Sequence, residues 1–180
     1  MKKSNLVTLA LLVFLAFLLP HSTRAQDKKT ENLLSESSKA KAEFVKTDPT
    51  MASLFDSSYG YVIFPKIGKG GLIIGGSGGD GILYEKGTPV GSVKTGQVTV
   101  GAQIGGQTYR EVIFFENKDA LDRMKQSKTE FSGQISAVAV KSGVSQNAKY
   151  ADGVAVFTQN LGGLMAEATV GGQKFKYTAF

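Results

Sequence analysis

Cysteine and tryptophan are missing from this 180-residue chain, and histidine occurs once, at His21. Without thiols there is no disulfide, no thiolate-held iron–sulfur cluster and no Cys-His nucleophile. His21 falls in a stretch that reads as a removed leader. A mature chain would then also lack a Ser-His-Asp triad, a histidine-held haem and a zinc site of the usual N/S type. Glycine is missing from the first 59 residues, since all 22 glycines lie at or after Gly60. What remains is carboxylate or lysine chemistry, oxygen-ligand metals, or binding without chemistry; neither a cofactor nor a metal is implied. At 42% hydrophobic and 20% charged, the composition is that of one globular domain.

Residues 1–25 read as a secretory signal peptide. Lys2 and Lys3 supply the positive start, residues 6–19 are apolar except for Thr8, and Pro20 ends the run. Thr23-Arg24-Ala25 puts small residues at −3 and −1, which predicts cleavage before Gln26. The 14-residue apolar run would span roughly 21 Å as a helix, short of a hydrocarbon core of about 30 Å. No cysteine follows, so the expected product is exported, periplasmic or envelope-associated, and not a lipoprotein. Removing the leader's three cations lowers the net charge from +6 to +3.

The mature chain divides by its glycines into a helical segment, 26–58, and a Gly-rich β-region, 59–180. In the first, Leu33, Ser37, Ala40 and Phe44 fall on one side of a helix, with Leu34 and Val45 beside them. Lys39, Glu43 and Lys46 lie opposite or flanking. Asp48-Pro49 looks like a cap followed by proline at a first helical position, opening a short helix with Met51, Leu54 and Phe55.

From Tyr59 the apolar period becomes two. Tyr61-Val62-Ile63-Phe64 reads as a strand stopped by Pro65, and further strands are predicted over 71–75, 82–85, 97–104, 110–115, 133–140, 154–159, 165–170 and 175–178. Gly78-Gly79-Asp80-Gly81 and Gly171-Gly172 read as turns. One helix interrupts, over 118–128, with Asn117 as its cap and Ala120, Leu121 and Met124 as its apolar face. The expected fold is α+β: a curved, mainly antiparallel sheet or partial barrel with an N-terminal amphipathic helix and one further helix.

Gly76-Ser77-Gly78-Gly79-Asp80-Gly81 matches G-x-G-x-x-G. A dinucleotide site needs a helix next, to hold the pyrophosphate on its amides, but Ile82-Leu83-Tyr84-Glu85 reads as a strand. No G-K-[ST] follows, so a P-loop is excluded too. Asp56, Asp80, Glu85, Glu111, Glu116, Asp152 and Glu167 are the carboxylates in or near the β-region; no spacing pairs two of them as a glycosidase requires. Glu167 interrupts an apolar stretch, on a face shared with Met165 and Thr169. The chain therefore reads as non-catalytic. Lysines dominate the cationic side: Lys66 and Lys69 after Phe64, Lys86 and Lys94 in the next connections, Lys141 and Lys149, and Lys174 and Lys176 alternating with Phe175 and Tyr177. Lysines beside aromatics suit an anionic membrane surface, at about 1 kcal/mol each, and equally a solvated basic face. A net charge of +3 is too small to point to nucleic acid.

The run Gly60-Tyr61-Val62-Ile63-Phe64-Pro65-Lys66-Ile67-Gly68-Lys69-Gly70-Gly71 resembles the opening of the SYLF-domain family, as does Ile74-Gly75-Gly76-Ser77-Gly78-Gly79-Asp80-Gly81-Ile82-Leu83. Val100-Gly101-Ala102-Gln103-Ile104-Gly105-Gly106-Gln107, followed by Val112-Ile113-Phe114-Phe115, is similar to its second signature. Gly162-Gly163-Leu164-Met165-Ala166-Glu167-Ala168 looks like its closing motif. The likeness covers roughly residues 33–180. It implies a lipid-binding domain; eukaryotic members bind phosphoinositides through an N-terminal amphipathic segment, and some regulate actin. The bacterial-type leader, and Gly91-Ser92-Val93-Lys94 where eukaryotic members carry an aromatic-Ser-Pro element, make generic anionic phospholipid the expected ligand class. Actin is not an expected partner.

Two functional readings are open. In the first, the chain is a phospholipid-binding module of the bacterial cell envelope. Leu33, Leu34, Phe44 and Val45 reach the acyl boundary, with Lys28, Lys29, Lys39, Lys41 and Lys46 at headgroup level and Lys66 and Lys69 adding charge. The same stripe equally fits ordinary core packed on the sheet. In the second, the chain is a carboxylate-dependent hydrolase or a structural envelope protein with a ligand cavity. A buried carboxylate pair lining a pocket would mark the hydrolase. The oligomeric state is open in both readings.

Overall fold

A computed structural model describes residues 22–126, 138–147, 149–170 and 173–180. The chain divides into two compact units, Met1–Asn32 and Leu33–Phe180. The leader up to residue 21 lies outside the described residues. Residues 33–58 belong to the second unit together with the β-region.

The elements are α1 (Ser22–Thr47), α2 (Met51–Ser57), β1 (Gly60–Gly71), β2 (Ile74–Glu85), β3 (Thr88–Phe115), α3 (Lys118–Lys125), β4 (Val138–Ala139), a 3-10 turn (Val144–Asn147), β5 (Val154–Val170) and β6 (Gln173–Ala179). All strand pairings are antiparallel except β4 with β5. The expected α+β class with a curved, open, mainly antiparallel sheet is what the chain forms.

The sheet is organised by β3. At 28 residues it would extend roughly 90 Å if straight, far longer than a domain of this size. It bends instead and serves as two strands. Its first half pairs with β2 (Ile74↔Val100 to Glu85↔Thr88), and its second half with β1 (Gly71↔Gly105 to Gly60↔Phe115). Because β1 and β2 also pair with each other, β3 lies along both outer edges of one hairpin. β5 and β6 then follow β3 on its far side, from Phe115↔Val154 to Gly91↔Ala179. Gly105 stands near the bend with φ of 114°, a conformation that a side chain disfavours.

Four expectations are corrected by the structure. Pro65 does not stop the first strand. β1 runs through it, and the register with both neighbours shifts there, so the bulge absorbs a residue that cannot donate to a ladder. The segments 97–104 and 110–115 are parts of one strand. Gly78-Gly79-Asp80-Gly81 is not a turn but the middle of β2, paired on both sides. A Cβ at Gly81 would stand 2.6 Å from both the Ile63 carbonyl oxygen and the Phe64 ring, so glycine serves close strand approach there. The true hairpin turn is at Leu72-Ile73, inside the segment 71–75 that reads as a strand. For the expected strand 133–140, only 138–140 are described; the Gly171-Gly172 turn lies outside the described residues.

β1 and the second half of β3 bury both faces, which is why Tyr61–Phe64 and Val112–Phe115 are continuous apolar runs. On one face Val62, Phe64, Ile67, Ile113, Phe115 and Phe175 pack with Leu121 and Met124 of α3. Asn117 caps α3 as expected, its Oδ1 accepting from Ala120 N at 3.0 Å. Lys125 Nζ holds the other end of that helix to Glu85 at 2.6 Å. On the opposite face Tyr61, Ile63, Val112, Phe114 and Phe157 pack with Ala40 and Phe44 of α1 and Met51 and Phe55 of α2.

The α1–α2 corner is fixed by Asp48, a fully buried carboxylate. Its oxygens accept from Thr50 N (3.1 Å), Thr50 Oγ1 (2.6 Å), Gly143 N (3.1 Å) and Ser145 N (2.9 Å). Burial pushes the Asp48 carboxyl up, but the hydrogen bonds from Thr50, Ser145 and Gly143 outweigh it and hold the group well below the usual carboxylate range. Asp48→Asn should therefore cost about 2–3 kcal/mol at neutral pH. The wild type's advantage is full above the unfolded carboxyl's titration near 4 and shrinks as pH falls below it. Urea unfolding of both proteins at pH 7 and pH 3 measures this; an undiminished gap at pH 3 contradicts it.

Candidate functional site

The bend of β3 and the tip of the β1–β2 hairpin meet at one end of the sheet. Leu72, Ile73 and Ile74 form the tip, and they are 64%, 76% and 68% exposed. Val98 and Ile104, on either side of the bend, are 70% and 64% exposed. The register brings them near one another, since Ile74 pairs with Val100, Gly76 with Val98 and Gly71 with Gly105. Among the described residues, this exposed cluster of five aliphatic side chains on a glycine-rich scaffold has no packing role. Clusters of that kind mark interaction surfaces.

Between the tip and the packed body runs a charged row. Lys66 pairs with Asp80, Asp80 with Lys94, and Lys94 with Lys176, so four adjacent strand segments place these residues in line across the sheet. Directly paired residues share a face. The row carries three cations and one anion, and Lys66, Lys94 and Lys176 are exposed. Lys69 lies one step nearer the tip, half-buried, opposite Ser77 and Gln107.

The helical residues proposed from the sequence are distributed differently. Phe44 is completely buried, and Val45 packs against the same core. The stripe packs rather than inserts at these positions, because Phe44 faces the apolar outer face of the sheet. Leu33 and Leu34 are half-buried. Lys41 is drawn inward: its Nζ stands 3.3 Å from Tyr61 Oη and lies over the Phe55 and Tyr61 rings at 4.7 and 5.3 Å. These contacts tie helix to sheet. Lys39 and Lys46 are exposed; Lys28 and Lys29 are exposed residues of the first unit.

A cavity of about 240 Å³ lies beside α1, lined by Glu36, Lys39, Ala40, Glu43, Pro65, Lys66, Arg110 and Leu161. The α1 residues of this lining all precede Phe44, and Pro65 and Lys66 come from the bulge of β1. Sequence reasoning missed Arg110 and the tip residues. One signal for the tip was present: Gly70-Gly71-Leu72-Ile73-Ile74-Gly75-Gly76 sets three apolar residues between two glycine pairs, the pattern of an apolar turn rather than a strand. Nothing in the sequence singles out Arg110.

Glu111 is the buried carboxylate of the sheet interior. Gln173 Nε2 donates to it at 2.9 Å and also to Thr95 Oγ1 at 2.9 Å. Burial pushes the Glu111 carboxyl up to about 7, against the opposing pull of the Gln173 hydrogen bond. Its partner is an amide, not the second carboxylate a glycosidase-like mechanism needs. Glu85, bound by Lys125 and Tyr59, is held low instead, and its ties are structural. Among the described residues no group of three or more His, Cys, Asp or Glu could hold a metal, and no helix is long and apolar enough to cross a membrane.

The comparisons with known proteins agree with the motifs. The family model Ysc84, described as Las17-binding protein actin regulator, matches residues 96–177. Beta cell expansion factor A of Aeromonas veronii is 30% identical over 135 residues, which cover 71% of this chain and 49% of that protein. The chain belongs to the SYLF-domain family. It spans about half the length of the curated relative it matches. Family membership supports a lipid-binding domain in general terms.

A raised carboxyl has a stability consequence. Above pH 7 the Glu111 charge is buried, and below about 4.5 the group is neutral in both states. Stability should therefore fall as pH rises from about 4.5 to 7, by roughly 3 kcal/mol for a shift of this size. Glu111→Gln should flatten that profile and leave the variant the more stable protein at pH 8. A variant less stable than wild type at pH 8 shows instead that the charge is compensated.

Proposed function

We propose that the chain is a non-catalytic module that binds anionic phospholipid surfaces through the hairpin tip, as an exported, envelope-associated protein. The observation that carries this is the succession from exposed aliphatic tip to lysine-rich row to packed body. It is the order of chemistry met on entering a bilayer: acyl boundary, headgroups, water. Burying one aliphatic side chain fully is worth about 1.5–3 kcal/mol, so five side chains about two-thirds exposed give a gross gain of roughly 5–10 kcal/mol. The lysines add about 1 kcal/mol each near an anionic surface. Neither contribution asks the domain to open, because Phe44 stays in the core.

Vesicle co-sedimentation separates the two contributions. Binding to phosphatidylglycerol-containing vesicles should weaken as salt rises, since the charge contribution is screened beyond a Debye length of about 8 Å at physiological ionic strength while insertion is not. Replacing Leu72, Ile73 and Ile74 by Ser should remove the salt-resistant part and leave the melting temperature unchanged. Replacing Lys66, Lys94 and Lys176 by Gln should remove the salt-sensitive part. No binding by the wild type to either neutral or anionic vesicles defeats the reading. Unaltered binding of the Ser variant displaces the contact from the tip.

A further inference from the structure

The cavity beside α1 contains a feature that packing does not explain. Arg110 lies on the strand face that carries Val112 and Phe114, one step past the core. Its Nε and Nη1 are buried and have no hydrogen-bond partner. Gln159, directly opposite in the register, does not supply one in this arrangement: its amide nitrogen donates to Thr47 Oγ1 at 2.7 Å, and its Oε1 is itself buried without a hydrogen-bond partner. A guanidinium is charged at every physiological pH, and leaving its donors dry and unmatched is costly. Such a group in a folded protein calls for a specific explanation, and an ion or ligand that completes it is one.

The lining defines that ligand. Lys39 and Lys66 stand with Arg110 around the space, giving three cations. Of the two acids present, Glu43 is already engaged by Lys46 at 3.8 Å, and Glu36 is exposed at the rim. Ala40, Pro65 and Leu161 supply apolar wall. A volume of about 240 Å³ accommodates a phosphate with a short polyol, but not a lipid tail. Lys66 belongs both to this lining and to the charged row, so the cavity opens at the level where the proposed membrane contact places headgroups.

We propose that the Arg110 cavity is a phosphate-ester site, and that it receives the glycerophosphate headgroup of an anionic phospholipid. Arg110 donates to the phosphate oxygens, and Lys39 and Lys66 neutralise its charge. As to source, the inference rests on the lipid-binding function proposed for the chain; as to chemistry, it does not.

The test uses the purified protein with sn-glycerol 3-phosphate as soluble probe and phosphatidylglycerol vesicles as the membrane form. Glycerol phosphate at millimolar concentration should raise the wild-type melting temperature, and glycerol alone should not. Arg110→Met removes an uncompensated charge, so it should fold with an equal or higher melting temperature. It should lose the glycerol phosphate response and bind phosphatidylglycerol vesicles at least tenfold more weakly, with binding to neutral vesicles unchanged. Should that variant fail to fold, Lys39→Gln with Lys66→Gln, both at exposed positions, must reduce the glycerol phosphate response. A folded Arg110→Met variant with wild-type vesicle affinity overturns the headgroup site while the tip reading stands. Glycerol phosphate protection without vesicle binding keeps the phosphate-ester site and overturns the lipid source. Absence of any glycerol phosphate response in the wild type overturns the site itself.

Discussion

Everything in this fold depends on one strand pairing on both sides of one hairpin. β1 and β2 have only two outer edges, and β3 occupies both, the first half on β2 and the second on β1. To do so it must bend at the hairpin tip. Among the described residues no layer lies beyond the bend to cover the side chains it exposes. The turn residues Leu72 and Ile73 and the flanking Ile74, Val98 and Ile104 stay outside because the sheet ends there. An apolar tip is thus the geometric result of the topology, made conspicuous by the residues placed on it. Serine or asparagine would occupy the same turn at lower cost in water.

The apolar runs at the start of β1 and the end of β3, the apolar face of α3 and its Asn117 cap were legible in the sequence, as each is written within a few residues. The α1 stripe was legible as a stripe, but its destination was not. Phe44 at helical spacing looks the same whether it meets a bilayer or the Tyr61–Phe114 face of a sheet, and only the long-range pairing decides. The bulge at Pro65 was unreadable for a related reason. A proline breaks a ladder unless the neighbouring strands shift register around it, and that shift depends on residues more than 40 positions away, at Tyr109 and Glu111. The glycines of β2 misread as a turn belong to the same failure. Gly81 answers to Ile63 and Phe64 in the next strand and Gly79 to Lys66 and Ile67, not to local backbone geometry.

Arg110 and Glu111 show what the same alternation does to charge. Adjacent in sequence, they are opposite in sign and project to opposite faces of β3, so neither can neutralise the other. Glu111 goes to the interior, where burial keeps its carboxyl near 7 and the amide of Gln173 is its partner. Arg110 goes to the cavity beside α1, where two nitrogens have none. A sheet selected only for stability would hold apolar residues at both positions, since removing such groups in favour of well-packed hydrophobes is commonly neutral or stabilising. The two cases differ in what could satisfy them. Glu111 can shed its charge by taking up a proton, and needs no ligand. A guanidinium offers no such route. An acceptor brought from outside would meet its deficit, and the lining, three cations against two acids with an apolar wall, favours one that is anionic and small.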